Sequence, residues 1–295
     1  MTTKAPGSRL PASALALVVV LAATLVAQTP SNQRAEWNQP LKPFKVFGNT
    51  YWVGTKGLGA ILITSDRGHI LIDGALPESV PQIRDHIREL GFKLEDVRLL
   101  LNSHVHYDHA GGLAELQRLT GARAAASGSS AKVLTSGESG QDDPQYGILP
   151  PIGRLQKVDV VREGEVVKVG SLLARPHMTP GHTPGGTTWT WKSCEGARCL
   201  DVVYADSVTP VSADGFKYTS SPLLKAFEHT YAALETMRCD ILLTPHPAAS
   251  GMLEKLAARD GGKADAFVDP GACKAYVAAA RTNLARRLET ERAKP

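Results

Sequence analysis

The sequence predicts an α/β fold in which mixed β-sheet is flanked by helices, and three observations carry that expectation. Apolar runs of strand length alternate with segments whose apolar residues recur every three to four positions. Strands, helix, strand and helix are followed by strands and helices again, so the second half repeats the pattern of the first without obvious identity. No low-complexity linker divides the 295 residues, so one domain is expected. Two sheets packed face to face with helices outside fit this order, and so does a single mixed sheet.

After a polar N-terminal arm, "FKVFGNTYWVG" and "GAILITSDRGHILIDGA" read as successive strands. Their turns fall at Gly48-Asn49, Gly57 and Asp66-Arg67-Gly68. Ser79 opens a helix that places Val80, Ile83, Ile87 and Leu90 on one face, and Gly91 ends it. "VRLLL" follows as a buried strand, and "GGLAELQRLTG" is a helix with Leu113, Leu116 and Leu119 as its stripe. Residues 137–157 are the longest stretch without periodicity, and a loop of that length in a compact domain usually serves function or moves. Strands resume with "EVVKVG", "LLARPHM", "GTTWTWKS" and "CLDVVYAD". A helix around "LLKAFEHTYAALETM" buries Phe227, Tyr231 and Leu234. "DILLTP" is the next strand, and a terminal helix carries Val277, Ala280, Leu284 and Leu288.

The chain opens with Lys4 and Arg9, then an apolar segment from about Ala12 to Ala27, then a polar stretch containing Pro30. That is the arrangement of a cleaved secretory signal peptide, so residues 1–27 are expected to be leader and 28–295 the mature domain. The apolar run is shorter than the ~20 residues that span a bilayer, and no cysteine follows it to accept a lipid. A periplasmic monomer, with no membrane attachment once mature, is the expectation. The formal charge is +4, of which Lys4 and Arg9 contribute two, leaving +2 on the mature chain. With no basic stripe and no aromatic platform for bases, nucleic acid is excluded as a partner.

Four cysteines suit an oxidising compartment and allow three pairings. Cys194 and Cys199 flank "EGAR", a hairpin tip that a local bridge would close; Cys239 and Cys273 would then staple a late strand to the C-terminal helix. A zinc site made from the four lacks the usual CxxC spacing.

The chemistry concentrates in "LNSHVHYDHAGG", residues 101–112. His104 and His106 are two apart in an extended segment, so both imidazoles point the same way and converge on one ion. Asp108 and His109 come where the chain turns into a helix and point elsewhere, which suits a second, adjacent ion. Imidazoles with one carboxylate and no thiolate suit Zn²⁺, with Fe or Mn as alternatives. Of the nine histidines, His182 in "MTPGHTPGG" and His246 in "LLTPHP" also end apolar strands, framed by prolines. His69, His86, His177 and His229 read as surface or satisfied core residues. Five histidines and one aspartate give three ligands to each of two metals, with open positions for a shared water. That is the equipment of a hydrolase.

"HVHYDH" resembles the HxHxDH motif of the metallo-β-lactamase superfamily, and the order His104, His106, Asp108, His109, His182, His246 is similar to that of its ligands. The stretches "SHVHYDHAGG", "DDPQYG", "TPGHTPGGTTWTW", "YADS" and "CDILLTPHPAASG" resemble subclass B3 of the metallo-β-lactamases, from about residue 36 to about 290. The resemblance implies an αββα sandwich, two mixed sheets face to face with helices outside and the metals at one edge. It implies one zinc on His104, His106 and His182, and a second on Asp108, His109 and His246. It also implies disulfides Cys239–Cys273 and, as in some members, Cys194–Cys199. The implied reaction is opening of a β-lactam ring by a zinc-held hydroxide that Asp108 orients. Ser207 and Thr209 would bind the drug carboxylate, and the loop with Gln145, Tyr146 and Ile148 would form a wall over the substrate. Asp73 would accept hydrogen bonds from the motif loop without binding metal. In glyoxalase-like relatives an aspartate after the third histidine bridges both metals; here "YADS" favours an Asp206 turned away to support its loop. Another hydrolase of the same fold, a lactonase or thioesterase, is the alternative.

Overall fold

The computed structural model describes residues 1–2 and 30–293; residues 3–27 of the expected leader and its cleavage site lie outside them. A seven-stranded sheet runs in chain order through β1 (Phe44–Phe47), β2 (Thr50–Trp52), β3 (Ile61–Ile63), β4 (His69–Ile72), β5 (Val97–Leu101), β6 (Arg123–Ala126) and β7 (Val158–Val160). Pairing is antiparallel as far as β4 and parallel from β4 to β7. A five-stranded sheet holds β8 (Val167–Val169), β9 (Leu172–Met178), β10 (Thr187–Glu195), β11 (Arg198–Tyr204) and β12 (Ile241–Leu243), with only β11–β12 parallel. The helices are α1 (Pro30–Trp37), α2 (Val80–Glu89), α3 (Tyr107–Ala110), α4 (Leu113–Thr120), α5 (Gly128–Ser136), α6 (Leu223–Thr236), α7 (Met252–Asp260) and α8 (Ala272–Ala293).

Two sheets, not one, follow from how the apolar runs are buried. Leu99 and Leu101 face Trp189, Val202, Tyr204, Ile241 and Leu243 in a layer between the sheets. Leu100 points the other way, into a second layer with Ile83, Ile87, Leu113 and Leu116 of α2 and α4. In the five-stranded sheet Val203 and Leu242 point outward, against Phe227, Tyr231 and Leu234 of α6 and Val277, Ala280 and Leu284 of α8. The "LLL" that ends β5 and the "ILL" of β12 are continuous rather than alternating because both faces of each strand are covered there. The architecture is the αββα sandwich.

Both disulfides form. Cys194 and Cys199 are directly opposed in the β10–β11 hairpin, with Cα atoms 4.1 Å apart. Cys239–Cys273 ties the chain just before β12 to the second residue of α8. The polar N-terminal arm, for which no element was expected, forms α1. β6, α5, β7 and α7 were likewise not anticipated. Ser79 caps no backbone group of α2; its hydroxyl donates to Oδ1 of Asn38 at 2.6 Å and so docks the N-terminal segment. Among the described residues no helix is long and apolar enough to cross a membrane.

Candidate metal centre

Strand β5 ends at Leu101, and the chain then runs through "NSHVH" before turning into α3. What holds this loop is Asp73, fully buried just after β4 with a backbone φ of 62°. Its Oδ1 accepts from the N–H of Ser103 at 2.7 Å and Nδ2 of Asn102 at 3.1 Å. Its Oδ2 accepts from Oγ of Ser103 at 2.6 Å and the Tyr204 hydroxyl at 2.8 Å. The aspartate therefore ties the loop to both sheets. It lies behind the histidines and holds none of the positions a metal would take.

The fold brings six side chains into two groups, His104 with His106 and His182, and Asp108 with His109 and His246. Within each group the donor atoms all lie within 4.8 Å of one another. Oδ2 of Asp108 is 3.1 Å from Nε2 of His109 and 3.3 Å from Nε2 of His246, and the two nitrogens are 3.2 Å apart. Ligands at ~2.0 Å from a tetrahedral zinc stand about 3.3 Å from one another. In the first group Nε2 of His104 is buried with no hydrogen-bond partner. Such an orphan costs about 1–3 kcal/mol, which a metal at this point would relieve. The residues fit two metal ions.

Each imidazole of the first group is fixed from behind. Nδ1 of His104 donates to Oδ1 of Asp206 at 2.8 Å, and Nδ1 of His182 donates to the carbonyl of Thr209 at 2.8 Å. Nε2 of His106 lies 3.2 Å from both carboxylate oxygens of Asp143, leaving Nδ1 to face the site. These contacts set the tautomers and so decide which nitrogen is presented to a metal. Asp206 is thus turned away from the space between the two groups, as expected, with the backbone of its own loop at Ser207 beside its carboxylate and a ligand histidine on its Oδ1. Gly186 makes this possible, since a Cβ there would collide with Oδ2 of Asp206.

Burial, with repulsion from His106, lowers His182 from 6.5 to about 3, and burial also holds His104 well below its usual value. Both rings are neutral, as a metal ligand must be. Burial raises Asp108, but electrostatic attraction to the His109 ring and hydrogen bonds from His109 and His246 outweigh it and hold the carboxyl well below the usual range. The sign for stability follows. Between the unfolded value near 6.5 and about 3, the unfolded His182 binds a proton that the buried ring refuses. The metal-free chain therefore loses stability as pH falls through that window. Thermal unfolding at pH 7, 5.5 and 4 should show a falling Tm; a level or rising one would contradict the assignment.

The family model described as the Metallo-beta-lactamase superfamily matches residues 60–246, more than half of the chain, and this span contains all six of these residues. The chain belongs to the metallo-β-lactamase superfamily. Within it, the solved structures point to one subclass. The Rm3 metallo-beta-lactamase superposes with a TM-score of 0.87 at 53% identity, over 88% of this chain and 98% of that one. MEM-A1, a subclass B3 metallo-beta-lactamase isolated from a soil metagenome library, gives 0.86 at 48% identity, over 88% of this chain and all of that one. A hydroxyacylglutathione hydrolase of Rhodopseudomonas palustris (strain BisB18) is 36% identical over 129 residues, 44% of this chain and 41% of that protein. The chain spans between about a third and half the length of the curated relatives it matches.

In this metallo-β-lactamase framework, the residues expected to bind substrate fall at different distances from the ligands. Ser207 is buried beside Asp206. Thr209 backs His182 with its carbonyl, and its hydroxyl is 3.3 Å from the same ring nitrogen. Nε2 of Gln145 lies 3.2 Å from Nδ1 of His106, while Tyr146 and Ile148 are exposed. Sequence reasoning missed Asp143, whose Oδ1 accepts from the N–H of Gln145 in the turn before it meets His106. The run "DDP" signalled the turn but not what it would hold. Outside the site, His69 and His86 contact backbone groups, His177 lies between Glu163 and Thr190, and His229 is exposed.

Proposed function

We propose that the chain is an exported zinc hydrolase that opens the β-lactam ring of penicillins, cephalosporins and carbapenems and so gives resistance to them. In this reading one Zn²⁺ sits on His104, His106 and His182 and a second on Asp108, His109 and His246. The observation that carries it is the pair of three-ligand groups side by side, each one short of the four ligands zinc takes, in a chain 53% identical to a metallo-beta-lactamase. The two disulfides suit an exported protein.

The bound metals would supply a water acidified to near neutrality and positive charge at the substrate carbonyl. The remaining work belongs to side chains. Asp108, anionic among imidazoles, orients the attacking water and accepts its proton. Ser207 and Thr209 hold the substrate carboxylate. Gln145, with Tyr146 and Ile148 on the loop, walls the site beside His106. Asp206, Asp143 and the Thr209 carbonyl keep three imidazoles aimed.

Thioester hydrolysis is the second reading, favoured by the hydroxyacylglutathione hydrolase relatives. Asp206 weighs against it, because its Oδ1 lies on the far nitrogen of His104 instead of between the two groups. The deciding experiment is hydrolysis of a carbapenem and a cephalosporin by the zinc-loaded chain, with a chelator and His104→Ala as controls. Turnover lost in both controls is expected. No turnover while two zinc ions remain bound would reject the β-lactam reading and send the search to hydroxyacylglutathione.

A further inference from the structure

Every imidazole of the first group has a hydrogen bond behind it. His246 does not. Among the described residues none reaches its Nδ1, and its side chain is 36% exposed. Its backbone is pinned between two prolines, with its carbonyl accepting from Oγ1 of Thr244 at 2.7 Å and the N–H of Ala249 at 3.0 Å. The ring itself remains to be fixed, and the group lying on it is the indole of Trp37, at 5.3 Å between centroids and 45° between planes.

Trp37 is itself held firmly. Its carbonyl accepts from Oγ1 of Thr55 at 2.6 Å and from the N–H of Gly57 at 3.1 Å. The Gly57 backbone passes so close that a Cβ there would collide with Cα of Trp37. One turn earlier, Arg34 donates to both oxygens of Glu78 at 2.9 and 2.8 Å, and its guanidinium lies over the ring of Tyr107. Asn38 accepts from Ser79 and Gln82 on the neighbouring segment. Helix α1, "PSNQRAEW", has no apolar stripe and is too short to persist alone. These ties are what place the indole.

We infer that Trp37 is a positioning residue for the second metal site: the docked α1 sets the angle at which the His246 imidazole meets Asp108 and His109. The inference rests on the reading that His246 is a metal ligand. The indole touches one ligand directly, His246, and otherwise meets the ring of Tyr107 at 6.4 Å; it takes part in none of the hydrogen bonds that hold His104, His106 and His182, which makes the effect selective.

The test is zinc titration of the metal-free chain against a chromophoric competing chelator, for the wild type, Trp37→Ala, Trp37→Leu and Trp37→Phe, with thermal unfolding of each metal-free protein. The first ion should bind all four proteins equally. The second should bind Trp37→Ala and Trp37→Leu about 10–100-fold more weakly, the loss typical when a ligand's outer support is removed. Trp37→Phe, which keeps a ring, should recover most of it. Equal second-ion affinity in the wild type and Trp37→Ala overturns the inference. If Trp37→Ala does not fold, the same comparison with Trp37→Leu decides. A wild type that binds fewer than two ions, or a His246→Ala variant that binds both normally, overturns the underlying reading instead.

Discussion

Replacing Asp108 with asparagine is expected to lower kcat for a cephalosporin by about 10²–10⁴-fold. The substitution preserves shape and removes one negative charge from a cluster of five imidazoles. In the wild type that charge is retained despite burial, because His109 and His246 converge on the same carboxylate. Two functions end together. The second group keeps only two strong ligands, and no anionic oxygen remains to take the proton of the attacking water. Zinc content measured beside kcat separates them. Loss of one ion per chain assigns the effect to ligation, and loss of rate with both ions retained assigns it to proton handling. A kcat within tenfold of the wild type, with two ions bound, would remove Asp108 from the mechanism.

The second large effect is structural. Asp73→Ala would remove the acceptor of four buried hydrogen bonds, two from Ser103 and one each from Asn102 and Tyr204, and of these donors Nδ2 of Asn102 keeps a second bond, to the His104 carbonyl. An unsatisfied buried donor costs about 1–3 kcal/mol, and water would recover part of that. A net loss of about 4 kcal/mol is a large share of an ordinary domain's stability of about 5–15 kcal/mol. Thermal unfolding of the metal-free protein should shift down by about 8–16 °C. Asp73→Asn should lose less, since asparagine tolerates the positive φ at this position and keeps one accepting oxygen. A metal-free Asp73→Ala that unfolds within 2–3 °C of the wild type would mean that the loop holds itself.

How legible this was in the sequence depended on whether the signal lay in one segment or in the meeting of two. The strands that bury both faces announce themselves, because the consecutive leucines of "VRLLL" and the "ILL" of "DILLTP" must be apolar on both sides. Six ligand candidates were readable for a related reason: histidines and an aspartate at the ends of apolar strands have no bland explanation. β6, "RAAA", gave no signal because alanine has neither strand preference nor period. It is a strand because β5 and β7 offer it partners on both sides. Asp143 and Trp37 were invisible in their roles. Each acts on a histidine far along the chain, at separations that only the folded topology closes. That Asp206 would also meet His104 was not legible, because nothing local revealed that β11 would end opposite that histidine.

Both metal groups draw ligands from the two halves of the sandwich. His104 and His106 follow β5 of the larger sheet, and His182 follows β9 of the smaller. Asp108 and His109 continue the first chain segment, and His246 follows β12 of the second. An ion in either place would therefore act as a rivet through two stacked plates. Sliding the sheets by even an ångström would pull three donors off one centre, so the free energy of binding would resist shear of the whole sandwich. The layers' alignment and the hydrolytic geometry would then be set by the same few bonds. Wear at the catalytic edge and loosening of the sandwich would become one event.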